Sequence, residues 1–185
     1  MMTETQAECF DDIIAAVNSG QGGAFFVDGV GGGGKTFSYT ALLHHVRGQG
    51  RIAVAAAFSG VAALLLDGGQ TTHKRFGLPV TDSLEEQQST LSMQDVRAEV
   101  LRQSALILWD EACVASRGAV DAVDRLLQDV TGCDRPAGGK VSVLGGDFRQ
   151  TLPIFRRSTR EATVVQILQH SKMWLNKIFG STGSM

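Results

Sequence analysis

The chain has 185 residues, 43% of them hydrophobic and 19% charged, with a formal net charge of −2. This fits one globular domain able to bury about 70% of its unfolded surface, and the near-neutral charge leaves only a local groove, not a global basic field, for nucleic acid. Cys9, Cys113 and Cys133 are odd in number and far apart, which argues against a disulfide framework or zinc site and for a reducing compartment. The start, MMTETQAECF, lacks a signal-peptide layout, and the longest apolar stretch, 52–66, is interrupted at Ser59-Gly60 and too short for a bilayer. The expectation is a soluble, intracellular protein with no membrane partner.

Taken in order, residues 3–18 predict a helix, with Phe10, Ile13, Ile14 and Val17 at helical spacing. Residues 18–23 break it and lead into the stretch AFFVDGVGGGGKT. Phe25-Phe26-Val27 reads as a buried strand stopping at Asp28. Gly29-x-x-x-x-Gly34-Lys35-Thr36 then spells the P-loop pattern, with Gly31, Gly32 and Gly33 inside it. So much glycine lets backbone N–H groups crowd around phosphate oxygens, and the next helix turns its positive end to the same place. Lys35 is expected to reach the β- and γ-phosphates and the Thr36 hydroxyl to ligate Mg²⁺. A glycine-rich linker, the plainer explanation, requires neither Lys-Thr at this spacing nor an apolar strand before it.

Phe37, Ala41, Leu42 and Val46 give the helix after Thr36 an apolar side. Residues 51–58 form a second apolar strand and 61–66 start another helix. Residues 81–92 are polar and read as a loop or insertion. A helix over about 93–103 follows, with Met93, Val96, Val100 and Leu101 on one side. ALILW (105–109) is a third strand, ending in Asp110-Glu111. Val120, Val123, Leu127 and Val130 mark an amphipathic helix whose Asp121, Asp124 and Asp129 are expected on its solvated face. VSVL (141–144) is a fourth strand, ending at Gly145-Gly146-Asp147. Continuous apolar strands alternating with helices predict an α/β fold, a parallel sheet with helices on both faces, with its chemistry at the carboxyl ends of the strands.

Asp110 at a strand end, downstream of a P-loop, suits Mg²⁺ binding, and Glu111 suits polarising the attacking water. A strand-end pair that only caps the next segment is the bland reading. Gln150, in GGDFRQ, can donate to the γ-phosphate.

Four motifs in this order, GxxxxGKT, FSGVAALLLDGGQTTHKRF, LILWDEA and VLGGDFRQTLPI, resemble PIF-one-like DNA helicases of superfamily one, in the Helitron-type branch. The resemblance runs from about residue 3 to residue 174 and implies a RecA-like P-loop NTPase domain over 1–179, followed by a short disordered tail over 180–185. It implies ATP and Mg²⁺ as cofactors, single-stranded DNA as partner and 5′–3′ movement, in the nucleus or mitochondrion. By the same resemblance Gln6 reads adenine, Lys35 and Thr36 belong to the P-loop, Asp110 and Glu111 are the metal and hydrolysis pair, and Gln150 senses the γ-phosphate. Residues 58–62 with Thr71, His73 and Phe76 correspond to segments lying along single-stranded DNA. Ser59 and Thr71 can then contact phosphate or sugar, Gly60 lies at a DNA-binding position, and Phe76 could offer a stacking surface. Core packing for Phe76 and a buried hydrogen-bonded role for His73 stand beside those readings.

The chain departs from the family at Gly33, where Thr or Ser is usual, and at Cys113-Val114, where Pro-Met is usual. Against the family pattern, the expectation is that no second RecA-like lobe follows Trp174 and that the family's arginine finger is missing with it. The expectation is therefore a nucleotide-binding half-site with slow hydrolysis. The alternative is a non-catalytic nucleotide- or DNA-binding remnant of a mobile-element helicase.

Overall fold

A computed structural model describes residues 2–29, 33–80 and 87–147. Gly31, Gly32, Gln150 and the tail over 180–185 lie outside the described residues.

Among the described residues, five strands form one parallel sheet: β1 (Gly23–Asp28), β2 (Ile52–Ala57), β3 (Gln70–Thr71), β4 (Ser104–Asp110) and β5 (Val141–Gly146), in spatial order β1-β5-β4-β2-β3. The helices are α1 (Glu4–Ser19), α2 (Lys35–Gly48), α3 (Gly60–Leu65), α4 (Thr72–Phe76), α5 (Val96–Gln103) and α6 (Arg117–Thr131). The inner strands are apolar along their length because both faces are covered, as in other parallel sheets. One face packs against α1, α2 and α3 through Ile13, Leu42, Leu43, Val46 and Leu66. The other packs against α4, α5 and α6 through Phe76, Leu101, Val120, Val123 and Leu127 around Trp109. Because the sheet is parallel, the carboxyl ends of β1, β4 and β5 come to one edge, and Phe26 pairs with Leu144 while Leu144 pairs with Trp109.

Local sequence sets the element ends. Thr3 and Gln6 form a reciprocal capping box at the start of α1: the Gln6 N–H donates to Thr3 Oγ1 at 3.3 Å and the Thr3 N–H to Gln6 Oε1 at 3.0 Å. Gly20, left-handed at φ 68°, closes the helix.

One pair of elements goes unanticipated and two expectations are corrected. Strand β3 and helix α4 appear within 70–76, where the apolar pattern is too short to announce them. Helix α5 starts at Val96 behind the Asp95 cap, and Met93 and Val96 are exposed rather than on its packed side, where Ala98 and Leu101 are buried and Val100 partly so. On α6 only Asp129 is exposed, whereas Asp121 and Asp124 are buried. Each has a partner that makes burial tolerable: Asp121 pairs with Arg117 at 3.3 Å, and Asp124 Oδ1 accepts the Ala137 N–H at 2.6 Å.

Candidate nucleotide and nucleic-acid site

The P-loop leaves β1 alongside β5, and the Gly29 N–H donates to the Gly146 carbonyl at 3.2 Å. Gly34 is the N-cap of the 14-residue α2, left-handed at φ 81°, a conformation that favours glycine. As a glycine the N-cap offers no side chain to the first-turn amides, and the positive end of the helix dipole suits an anion there. Lys35 is half-buried, its ammonium donating to the Gly29 carbonyl across the loop, and Thr36 is exposed on the first turn. Gln6 joins them: its Nε2 donates to the Gly33 carbonyl at 3.2 Å, and a Cβ added at Gly34 would lie 2.9 Å from that nitrogen. Helix α1 and the P-loop are thus locked together through one amide side chain. Gly29, Gly33, Gly34, Lys35, Thr36 and Gln6 are gathered in one place.

Asp110 ends β4, two strands from β1. Burial raises its pKa most. The Glu111 N–H, donating to Oδ1 at 2.9 Å, and the positive charge of Lys35 pull it back down. Asp110 and the P-loop lysine therefore feel each other directly.

Beneath this pair lies Tyr39, the chain's one tyrosine, fully buried. Burial, then the Asp110 carboxylate, raise its pKa well above the usual phenol value. A Cβ at Gly145 would stand 1.7 Å from the Tyr39 hydroxyl and 3.3 Å from Asp110 Oδ1. Position 145 is glycine because Tyr39 and Asp110 occupy the space of its side chain. Sequence reasoning passed over Tyr39. The available signal was a lone tyrosine one helical turn after the P-loop lysine, on the inner side of α2.

The residues fit a magnesium ion. No cluster of three His, Cys, Asp or Glu side chains occurs among the described residues, and Mg²⁺ needs none, since it takes one or two carboxylates and completes its shell with phosphate oxygens and water. Asp110 is a carboxylate whose charged form burial disfavours, so a cation beside it is stabilising. The Thr36 hydroxyl, exposed on the first turn of α2, could offer a second oxygen.

Glu111 has a left-handed backbone, φ 55°, uncommon for a residue with a side chain. Its Oε2 accepts the Ser59 N–H at 3.1 Å. Ser59 caps α3, its hydroxyl accepting the Ala62 N–H at 3.2 Å, and Gly60 beside it is exposed. Thr71 caps α4 in the same way, accepting from the Lys74 N–H at 3.3 Å. The His73 ring is half-buried and meets the Phe58 ring edge-on at 5.7 Å. The stacking expectation for Phe76 is overturned. Its side chain is fully buried, 5.8 Å between ring centres from Trp109, and presents no face to a base.

Comparison with known proteins gives this arrangement its relatives. An ATP-dependent DNA helicase Pif1 from Psychrobacter is 30% identical over 156 residues, covering 83% of this chain and 23% of that protein. The chain thus spans less than a quarter of that relative. Pif1 from Bacteroides bound to single-stranded DNA superposes with a TM-score of 0.70 at 27% identity, covering 89% of this chain and 35% of that one. A Pif1 helicase from Bacteroides in complex with ADP-AlF3 and single-stranded DNA has the same fold, with a TM-score of 0.76 at 24% identity over 96% of this chain and 40% of its own. The PIF1-like helicase family matches residues 1–179. With a RecA-like sheet carrying a P-loop and a strand-end Asp-Glu pair on one edge, this chain belongs to the PIF1-like helicase family.

Proposed function

We propose that this chain is the first motor domain of an ATP-dependent 5′–3′ DNA helicase, binding Mg·ATP on the P-loop edge and single-stranded DNA along 58–73. The observation that carries the reading is the convergence of the α2 start, Lys35 and Asp110-Glu111 on one sheet edge, at the ends of β1 and β4 on either side of β5. In this reading Gly29, Gly31, Gly32, Gly33 and Gly34 wrap the phosphates, and Lys35 leaves the Gly29 carbonyl to bridge the β- and γ-phosphates. Thr36 and Asp110 hold the ion, which when bound neutralises charge building on the phosphate oxygens. Glu111 takes a proton from the attacking water, Gln150 contacts the γ-phosphate, and Gln6 reads the adenine. Ser59, Gly60, Thr71 and His73 face the DNA backbone. A second lobe, for which the greater length of the Psychrobacter relative leaves room, supplies the arginine that speeds transfer by orders of magnitude.

Steady-state ATP hydrolysis by this chain, with and without an oligothymidylate, tests the reading. We expect slow, Mg²⁺-dependent turnover that single-stranded DNA stimulates, and its loss in Lys35→Ala with an unchanged melting temperature. Wild-type turnover equal to that of Lys35→Ala would reduce the chain to a non-hydrolysing nucleotide binder, the alternative to which Gly33, lacking the hydroxyl usual in the family, points.

A further inference from the structure

The Asp110-Glu111 step is tied to the segment beginning at Phe58 by two consecutive amides. The Phe58 N–H donates to the Asp110 carbonyl at 3.3 Å, continuing the β2–β4 ladder by one rung. The next amide, of Ser59, would face away from β4 in a continuing strand, but the chain turns here into α3 and brings it round. It reaches instead to Glu111 Oε2 at 3.1 Å. The glutamate can meet it because its own backbone is left-handed, φ 55° and ψ 28°, a conformation that persists only where surroundings hold it. Here the holding bonds are the Glu111 N–H to Asp110 Oδ1 and the Val114 N–H to the Glu111 carbonyl, at 2.9 and 3.1 Å.

The 57–59 turn is gripped on its other side by residues 72–73. Thr72 Oγ1 donates to the Ala57 carbonyl at 2.9 Å from a fully buried position, and the His73 ring abuts the Phe58 ring. A single turn of backbone therefore separates Glu111 from His73.

We propose that the backbone amide of Ser59 is a positioning group for Glu111. By holding Oε2 it fixes the carboxylate plane and leaves Oε1 to accept the proton of the attacking water. The water oxygen bonds to the γ-phosphorus, the bond from that phosphorus to the β,γ-bridging oxygen breaks, and its electron pair leaves with ADP. A strand of DNA that shifts the 57–59 turn, directly at Ser59 or through His73, re-aims Oε1 with it. This rests on the reading of Glu111 as the hydrolytic carboxylate and adds to it the group that aims it. Because the donor is main chain, every residue except proline supplies it at position 59.

Ser59→Pro and Ser59→Ala both lose the hydroxyl cap, but only the proline loses the amide. In single-turnover and steady-state assays of the 185-residue chain, Ser59→Pro should turn over at least about tenfold more slowly than Ser59→Ala, with ATP KM values within about twofold of each other. A merely structural role would lower both variants together or move KM. Hydrogen exchange at the Ser59 amide gives a second measurement on folded wild-type protein, should the proline variant fail to fold. In Glu111→Ala that amide should exchange about tenfold faster than in the wild type. Equal turnover in the two Ser59 variants, or equal exchange with and without the Glu111 carboxylate, overturns the proposal. Wild-type protein that binds ATP without turnover defeats the hydrolytic reading itself, a different result from either of these.

Discussion

The P-loop edge and the 58–76 segment use their motif residues in opposite ways. At the P-loop edge Lys35 and Thr36, the side chains proposed to hold the nucleotide and its ion, cap no helix and fill no core. Thr36 is exposed, the N-cap of α2 is a glycine with no side chain to cap it, and Lys35 donates to the Gly29 carbonyl of its own loop. In the 58–76 segment the motif residues are also pieces of the fold. Ser59 and Thr71 cap helices, the His73 ring packs on Phe58, and Phe76 fills the core against Trp109. A residue that folding does not need advertises a ligand. A residue that folding does need carries no such message, even inside a motif.

The largest test of that contrast is Phe76→Ala. Truncating a fully buried phenylalanine removes its transfer energy and leaves a cavity, and should cost about 3–5 kcal/mol in urea denaturation. At a temperature where variant and wild type are both folded, affinity for an oligothymidylate by fluorescence anisotropy should stay within about twofold, well under the 1.4 kcal/mol that a tenfold change represents. Full stability with lost DNA binding would return Phe76 to the DNA and erase the difference between the two regions.

How much of the molecule could be read from its residues follows the same division. The P-loop was readable because glycines beside Lys-Thr have no cheaper explanation, and Asp110-Glu111 because it ends an apolar strand downstream of that loop. The sheet was readable from unbroken apolar runs. Phe76 was ambiguous because an aromatic one turn from a histidine suits either a core or a base. Asp124 was misread because, besides Gln128 one turn on, it accepts the main-chain N–H of Ala137 beyond the end of its helix, and nothing in side-chain periodicity reports a backbone donor. Tyr39 resembled one more inner residue of α2. Its importance comes from Gly145, more than a hundred positions away, which lacks a side chain so that the phenol fits. The Ser59 amide leaves no trace at all.

Thr71→Ala comes next in size. The hydroxyl caps the five-residue α4 by accepting the Lys74 N–H, and losing such a cap costs about 1 kcal/mol. A thermal-denaturation series should show this loss for Thr71→Ala and much of it recovered in Thr71→Ser, which keeps the hydroxyl. If Thr71→Ala leaves stability unchanged, the cap is idle, and the hydroxyl joins Thr36 as a side chain whose use lies outside the fold.

The smallest expected effect on stability, and the sharpest on the comparison, is at His73. Its edge contact with Phe58 is half-buried, so His73→Ala should cost at most about 0.5–1 kcal/mol, the low end of what an aromatic pair contributes. The Phe58 ring would then lose its neighbour, and the turn leading to Ser59 one of its two supports from residues 72–73, while Thr72 still holds the Ala57 carbonyl. If His73 serves only the fold, anisotropy with an oligothymidylate should not distinguish the variant from wild type. If it meets DNA, affinity should fall by about tenfold, equivalent to about 1.4 kcal/mol and so larger than the stability loss. Binding energy exceeding folding energy is the mark that separates a ligand contact from a packing contact in this segment. His73→Phe sharpens it further: it keeps a ring against Phe58 while removing both nitrogens, so unchanged stability with weakened DNA binding would show that the fold uses the ring and the DNA uses the nitrogens.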